Sequence, residues 1–185
     1  MRLFYMMVVA CCFLNISMQG ATYIYTQGKK SLFVTQQGVA LYNGTPVQII
    51  SKKGQQAQIK IIGYVAQDDH TKLFATRNLS LLFAHVKSKR HEIQVSKDKG
   101  VLILSVPQKI LTDDMDEAWE KNSDLFYDKC TKCHHAKVIK KHTMLEWSAI
   151  FSSMAPKAKI SHKQDQLIMR FLKAFAKDGI LKQSD

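Results

Sequence analysis

The sequence predicts an α+β protein, with a small β-barrel or sandwich-like module over residues 21–111 and an all-α domain over residues 112–181. Two observations support this prediction. Short β-branched runs separated by turn residues fill the first part, whereas apolar residues recur at helical spacing in the second. The pattern changes near Thr112. We therefore expect strands first and helices afterwards.

The first part contains a series of short strand patterns. They cover residues 31–35, 39–42, 47–51, 57–61, 79–86, 92–95 and 101–106. Turn signals lie between them, among them Asn43-Gly44 and Lys53-Gly54. Residues 57–61 alternate strictly between apolar and polar, as expected of a half-buried strand. Because this stretch shows no catalytic constellation, we expect it to act as a docking or positioning module.

The second part carries signals for helix ends. Residues 113–116 include three aspartates, which favour a helix start because negative charge interacts well with the dipole there. Capping-box patterns at residues 143–146 and 161–164 predict two further helices. Gly179 is the predicted end of the last helix. The domain should therefore consist of a helix, a loop and two more helices.

The first twenty residues resemble a secretory signal peptide. Arg2 precedes an apolar run over residues 3–14, and the small residues Gly20 and Ala21 follow it. The run is short for a membrane span, so we predict cleavage and export to the periplasm, without stable membrane insertion of the mature chain. An uncleaved N-terminal anchor remains the alternative. Residues 182–185 are interpreted as a short C-terminal tail.

The chain is strongly basic. Lys and Arg number 27 against 15 Asp and Glu, which gives a formal net charge of +12. Such a surface suits acidic partners. No basic and aromatic motif of a nucleic-acid-binding module is present, so we do not expect nucleic acid to be the partner.

Positions 130–134 read Cys-Thr-Lys-Cys-His, the attachment signature of c-type haem. Two thiols one helical turn apart can add to the vinyl groups of the porphyrin, and His134 is then delivered to the iron as an axial ligand. A zinc site is disfavoured because the other two cysteines fall in the N-terminal apolar run. The sequence therefore predicts one covalently attached haem c on Cys130 and Cys133.

Met154 is the predicted second axial ligand. It lies shortly before Pro156, which removes a backbone donor and biases the preceding residue towards extended geometry, so that a fixed loop could present the thioether. His142, Met144 and His162 are the alternative ligands. Met154 could also simply continue the apolar stripe of its helix. Met/His ligation fills both axial positions and favours an electron carrier over an enzyme.

This order of helix, haem motif, loop and helices is that of a class I cytochrome c. The motif together with Trp147, residues 153–156 and residues 160–161 resembles the C-terminal monohaem domain of TorC-type cytochromes. The resemblance implies that His134 and Met154 ligate iron. It also implies electron delivery to an acidic surface of a periplasmic molybdopterin reductase for N-oxides or S-oxides. TorC-type proteins carry further haems and a membrane anchor, which are missing here, so an upstream quinol-linked cytochrome or another protein must donate the electrons.

The predicted function is that of a periplasmic monohaem cytochrome c that transfers electrons by outer-sphere transfer and is not itself an enzyme. Eight lysines against the single acid Glu146 occupy residues 129–163, which predicts steering towards an acidic partner. Three alternatives remain open. The first is a general electron carrier to an oxidase or peroxidase, and the second is a haem enzyme or gas sensor with an open sixth position. The third is a structural β protein in which haem only stabilises the small domain.

Overall fold

The computed structural model describes residues 21–26, 32–88, 91–135 and 137–181. The predicted signal peptide (residues 1–20) and C-terminal tail (residues 182–185) lie outside the described residues. Within them, no helix is long and apolar enough to cross a membrane.

The described residues form ten β-strands, three α-helices and two 3₁₀ turns. The strands are β1 (Thr22–Ile24), β2 (Leu32–Val34), β3 (Val39–Tyr42), β4 (Pro46–Lys53), β5 (Gln56–Tyr64), β6 (Lys72–Phe74), β7 (Leu82–Val86), β8 (Gln94–Ser96), β9 (Lys99–Pro107) and β10 (Leu111–Thr112). The helices are α1 (Met115–Cys130), α2 (Met144–Met154) and α3 (His162–Ala174), and the 3₁₀ turns are Gln108–Ile110 and Ile139–Lys141.

The strands form a mainly antiparallel sheet that curls into a half-barrel. Its strand order is β10-β1-β4-β5-β6-β7-β3-β2, and β9 pairs with both β5 and β8. The longest ladder joins β5 to β9 without a register shift, from Gln56 opposite Pro107 to Tyr64 opposite Lys99. Alternate residues of both strands point inward and are buried, as the period of two requires. The concave side of the half-barrel is therefore its hydrophobic side.

The helices pack onto the half-barrel and share its core. One cluster of buried side chains includes Leu41 and Ile59 from the strands as well as Trp119 and Phe171 from the helices. Gly44, in the turn after β3, has a positive φ of 74°, and a Cβ there would lie 2.2 Å from two carbons of the Trp119 ring. The indole of α1 thus sits directly on the turn.

The predicted fold class, a β module followed by an all-α class I cytochrome c domain, is wrong. The described chain is mainly an antiparallel half-barrel with three helices, and these helices do not form an all-α cytochrome domain. The physical reason is that helical periodicity reveals an apolar face but not the surface that the face packs against. In this fold, the faces of α1 and α3 pack partly on strands and turns.

Helix starts follow the capping chemistry of the sequence. The Asp114 side chain accepts hydrogen bonds from the backbone N–H groups of Asp116 and Glu117. Both capping boxes form, with Thr143 starting α2 and Ser161 starting α3. Helix α3 ends at Ala174, before Gly179 is reached.

A candidate cofactor cleft between α1 and α2

The haem-attachment motif begins at the last residue of α1. Cys130 ends the helix, and the Thr131 hydroxyl donates a 2.6 Å hydrogen bond to the carbonyl of Tyr127. Cys130 is half-buried whereas Cys133 is exposed, and both are free thiols. Burial raises the pKa of the Cys130 thiol. The two thiols of the motif therefore lie in different environments.

An apolar cleft lies beside the motif, between α1, α2 and α3. Its cavity volume is about 20 Å³. Its walls are Phe126, Cys130, His134, Lys137, Trp147, Ile150, Phe151, Met154 and Leu172. The structure thus brings together three of the four site residues predicted from the sequence, Cys130, His134 and Met154. Cys133 is exposed next to His134 and does not line the cleft.

Met154 reaches the cleft from the end of α2. Its carbonyl accepts a 3.0 Å hydrogen bond from the N–H of Ala158, which closes the turn that follows the helix. Ala155 keeps helical dihedral angles (φ −54°, ψ −43°) and is not extended. The predicted effect of Pro156 on its predecessor is therefore wrong, because the turn over residues 155–159 tolerates the proline without an extended residue before it. The thioether nevertheless lies at the cleft wall.

The alternative ligands lie away from the cleft walls. The His142 ring stands edge-on to Trp147 with centroids 5.2 Å apart. Met144 is 2% exposed and lies in the core. His162 is exposed on α3, with its Nε2 3.1 Å from Nε2 of Gln166. None of these three residues contributes to the described lining.

Aromatic side chains hold the base of the cleft in place. Trp147 donates from Nε1 to the carbonyl of Ile139 at 2.9 Å, so its ring orientation is fixed by a buried hydrogen bond. Phe126 packs edge-on to Trp147 at 6.4 Å and tilted against Phe171 at 5.8 Å. Phe126, Lys137 and Leu172 also line the cleft and were not predicted from the sequence as site residues. The position of Phe126 one turn before Cys130 was a signal that could have found it.

The His134 side chain is oriented by its neighbour. Nδ1 lies 2.8 Å from the carbonyl oxygen of His135. When Nδ1 carries the proton, it donates to this oxygen, and the lone pair is then on Nε2. Metal-ligating histidines commonly donate their other ring N–H in this way.

The residues present fit a c-type haem in their chemistry. Two thiols, an imidazole and a thioether lie at or beside a cleft with almost wholly apolar walls. The cavity between these walls is smaller than a porphyrin. Among the residues that the structure describes, no three His, Cys, Asp or Glu side chains come together as ligands for a bare metal ion.

Lys137 lines the cleft, and we call it and the other lysines of the surrounding segments the basic rim. The segments that supply its walls carry most of the eight lysines of residues 129–163. Lys129 and Lys132 lie 3.4 and 3.3 Å from the Asp128 carboxylate, and their hydrogen bonds hold the pKa of Asp128 below its usual range. Leu145 is 81% exposed in the same region. The surface there is basic and partly apolar.

No protein-family model, no curated protein and no solved structure matches this chain. The resemblance to TorC-type cytochromes is wrong, because the fold is a mostly-sheet half-barrel whose described residues form only three short helices, and no haem-binding family matches. The similarity depended on a five-residue motif and a few residues around Pro156. Such short segments do not determine the packing of a whole domain.

Proposed function

We propose that this protein carries electrons through one c-type haem attached to Cys130 and Cys133, with His134 and Met154 as the axial ligands. The observation that supports this most directly is the shared cleft. Cys130 at the end of α1, His134 in the motif and Met154 at the end of α2 line the same apolar space, although Met154 lies 20 residues after His134.

The residues of the chain have separate tasks in this proposal. When bound, the haem supplies an iron that alternates between the ferric and ferrous states. Cys130 and Cys133 would tether the group, and His134 and Met154 would bind its iron and leave no position for a substrate. The apolar walls would keep water away from the bound group, and a thioether ligand would raise the reduction potential relative to a second imidazole.

The basic rim supports an acidic protein as the redox partner. Lysines that flank an exposed cofactor edge attract an acidic surface and speed its approach at low salt. A molybdopterin reductase as acceptor and a quinol-linked donor stay predictions, and the structure adds no argument for either. Export to the periplasm also stays a prediction, since residues 1–20 lie outside the described residues.

The test is the absorption spectrum of the full chain matured with c-type haem machinery. We expect a haem that resists acid-acetone extraction, a Met-to-iron charge-transfer band in the ferric form, and a ferrous form indifferent to carbon monoxide. Met154→Leu should lose the band and bind carbon monoxide. Met144→Leu is the matched control, because Met144 lies in the core away from the cleft walls and its replacement should leave the band unchanged.

Two outcomes would contradict the proposal. Rapid carbon monoxide binding by the unaltered protein would mean an open sixth position and would favour a haem enzyme or gas sensor. Failure of Cys130 and Cys133 to attach haem would leave a free dithiol and would remove the proposed cofactor altogether.

A further inference from the structure

Arg170 is a buried cation in α3. The residue is 8% exposed. Its hydrogen bonds go to carbonyl and hydroxyl oxygens, and among the described residues no carboxylate pairs with it. Burial lowers the pKa of Arg170 to about 9, and a guanidinium remains protonated at neutral pH. A charge kept in such a place without an acid needs an explanation.

The guanidinium bonds to two separate parts of the half-barrel. Nε and Nη2 donate to the carbonyl of Asn43 at 3.0 and 2.9 Å, and Nη2 also lies 3.3 Å from the hydroxyl of Thr45. Nη1 donates to the carbonyl of Leu82 at the start of β7. The Tyr42 ring lies 5.2 Å away and favours the charge further. Arg170 thus joins α3 to the β3–β4 turn and to β7.

The same part of α3 forms one wall of the cleft. Leu172, two residues after Arg170, lines the cleft directly. Phe171 packs on Phe126, which lines the cleft beside Cys130. Residues next to Arg170 in α3 therefore form or support the wall of the cleft that Cys130 also lines.

We propose that Arg170 is a positioning residue, which ties α3 to the half-barrel and so keeps the cleft closed around Cys130. Its fork of donors fits two carbonyl groups at once, and lysine cannot reproduce this geometry. The inference concerns the closure of the cleft and does not require haem. Only the spectroscopic part of the test depends on the proposed function.

The experiment measures thiol alkylation in the full, haem-free, reduced chain. Iodoacetamide labelling of Cys130 and Cys133 is followed by peptide mass spectrometry, with the exposed Cys133 as the internal reference. Arg170→Lys keeps the charge but loses the fork, and we expect the Cys130 rate relative to Cys133 to rise about fivefold. Lys163→Gln is the matched control on an exposed position of α3 and should leave the ratio unchanged.

A second variant tests the inference in case Arg170→Lys does not fold. Thr45→Val removes one acceptor of Arg170 from the half-barrel side, together with the 3.2 Å hydrogen bond that the Thr45 hydroxyl donates to the carbonyl of Phe83, and should raise the ratio about twofold. Circular dichroism checks that each variant is folded. If Arg170→Lys does not fold, Thr45→Val decides. An unchanged ratio in a folded Arg170→Lys variant would overturn the inference. If Arg170→Lys does not fold, an unchanged ratio in Thr45→Val would overturn it.

The matured holoprotein separates this inference from the proposed function. Arg170→Lys should weaken the Met-to-iron band of the ferric form, while Lys163→Gln should leave it unchanged. If the alkylation ratio rises but the unaltered protein never shows the band, the proposed ligation fails and the role of Arg170 stands. If the band is present and the ratio does not change, the proposed role of Arg170 is refuted and the proposed ligation stands.

Discussion

The two ends of α1 differ in how completely the protein holds them. We call the first half of α1, which contains Trp119 and Asn122, the anchor end. We call its last four residues, 127–130, the motif end. Both anchor residues are almost fully buried, and the Asn122 side chain donates to the carbonyl of Leu167 in α3 at 2.9 Å. At the motif end, Tyr127 and Asp128 are exposed and Cys130 is half-buried.

Acidic and basic residues are also distributed unevenly between α1 and the segments that follow it. Seven of the fifteen acidic residues fall in residues 113–128, whereas residues 129–163 carry eight lysines and one acid. The anchor end is fixed by packing against strands and α3, so its structure needs no ligand. The motif end is more exposed, and its Cys130 lines the cleft and is one of the two thiols that a covalent cofactor would use. One helix thus combines a structural half with a half left available for chemistry.

A substitution at Gly44 is the test of the anchor end with the largest expected effect. Gly44→Ala should destabilise the protein by about 2–5 kcal/mol, because the new Cβ would strike the Trp119 ring and the backbone has a positive φ of 74°. The free energy of unfolding from urea denaturation measures this.

Gly54→Ala is the control for Gly44→Ala. Gly54 also has a positive φ, of 57°, but a Cβ there would meet nothing within 4 Å. Its cost should be backbone strain alone, about 1–2 kcal/mol. Equal losses for both variants would mean that the contact of Trp119 with the turn does not fix the anchor end.

The lysines of residues 129–163 offer a test of intermediate size. Replacing Lys137, Lys141 and Lys157 by Gln should slow oxidation of the ferrous holoprotein by hexacyanoferrate(III) roughly tenfold at low salt, because the anionic probe loses its electrostatic attraction. Stopped-flow rates over a series of salt concentrations measure this. The triple replacement of Lys52, Lys53 and Lys87, which are exposed on the half-barrel side, is the control of equal charge. Equal slowing in both triple variants would show that only net charge matters.

The Cys130 thiol offers the smallest test. Because burial raises its pKa, less thiolate is present at a given pH, so alkylation of Cys130 in the haem-free chain should need a higher pH than an ordinary thiol, whose pKa is about 8.5. The pH profile of iodoacetamide labelling in a Cys133→Ser variant measures this. The profile should return to the ordinary one in urea. A profile that is the same with and without urea would show that the folded motif end does not shelter the thiol.

Local chemistry was predictable from the sequence, whereas packing was not. The alternation at residues 57–61 indicated a strand, and β5 (Gln56–Tyr64) lies there. Thr143 and Ser161 indicated helix starts because capping depends on residues a few positions apart. The patterns did not indicate β6 or β10, which are too short to show a period. They also gave no sign that helices would complete a half-barrel.

The candidate site shows the same division. The spacing of Cys130, Cys133 and His134 was visible because attachment chemistry is local, and Met154 was suggested by its place before Pro156. The role of Arg170 was not visible. It stands among apolar residues of α3, and its acceptors Asn43 and Leu82 are 127 and 88 residues away in the sequence. An arginine on an otherwise apolar helix face was the signal that could have drawn attention to it.

The pairing of β1 has a consequence for how this chain reaches its native state. β1 lies between β4 and β10, and the Thr22 hydroxyl donates at 2.6 Å to the carboxylate of Asp113, 91 residues later. During synthesis, β1 therefore emerges long before one of its two neighbours exists. Contacts of such sequence separation slow folding, because a large loop must close before the contact forms. Until β10 arrives, one edge of β1 stays open, and a chaperone that covers this edge would protect the nascent protein from strand-to-strand aggregation.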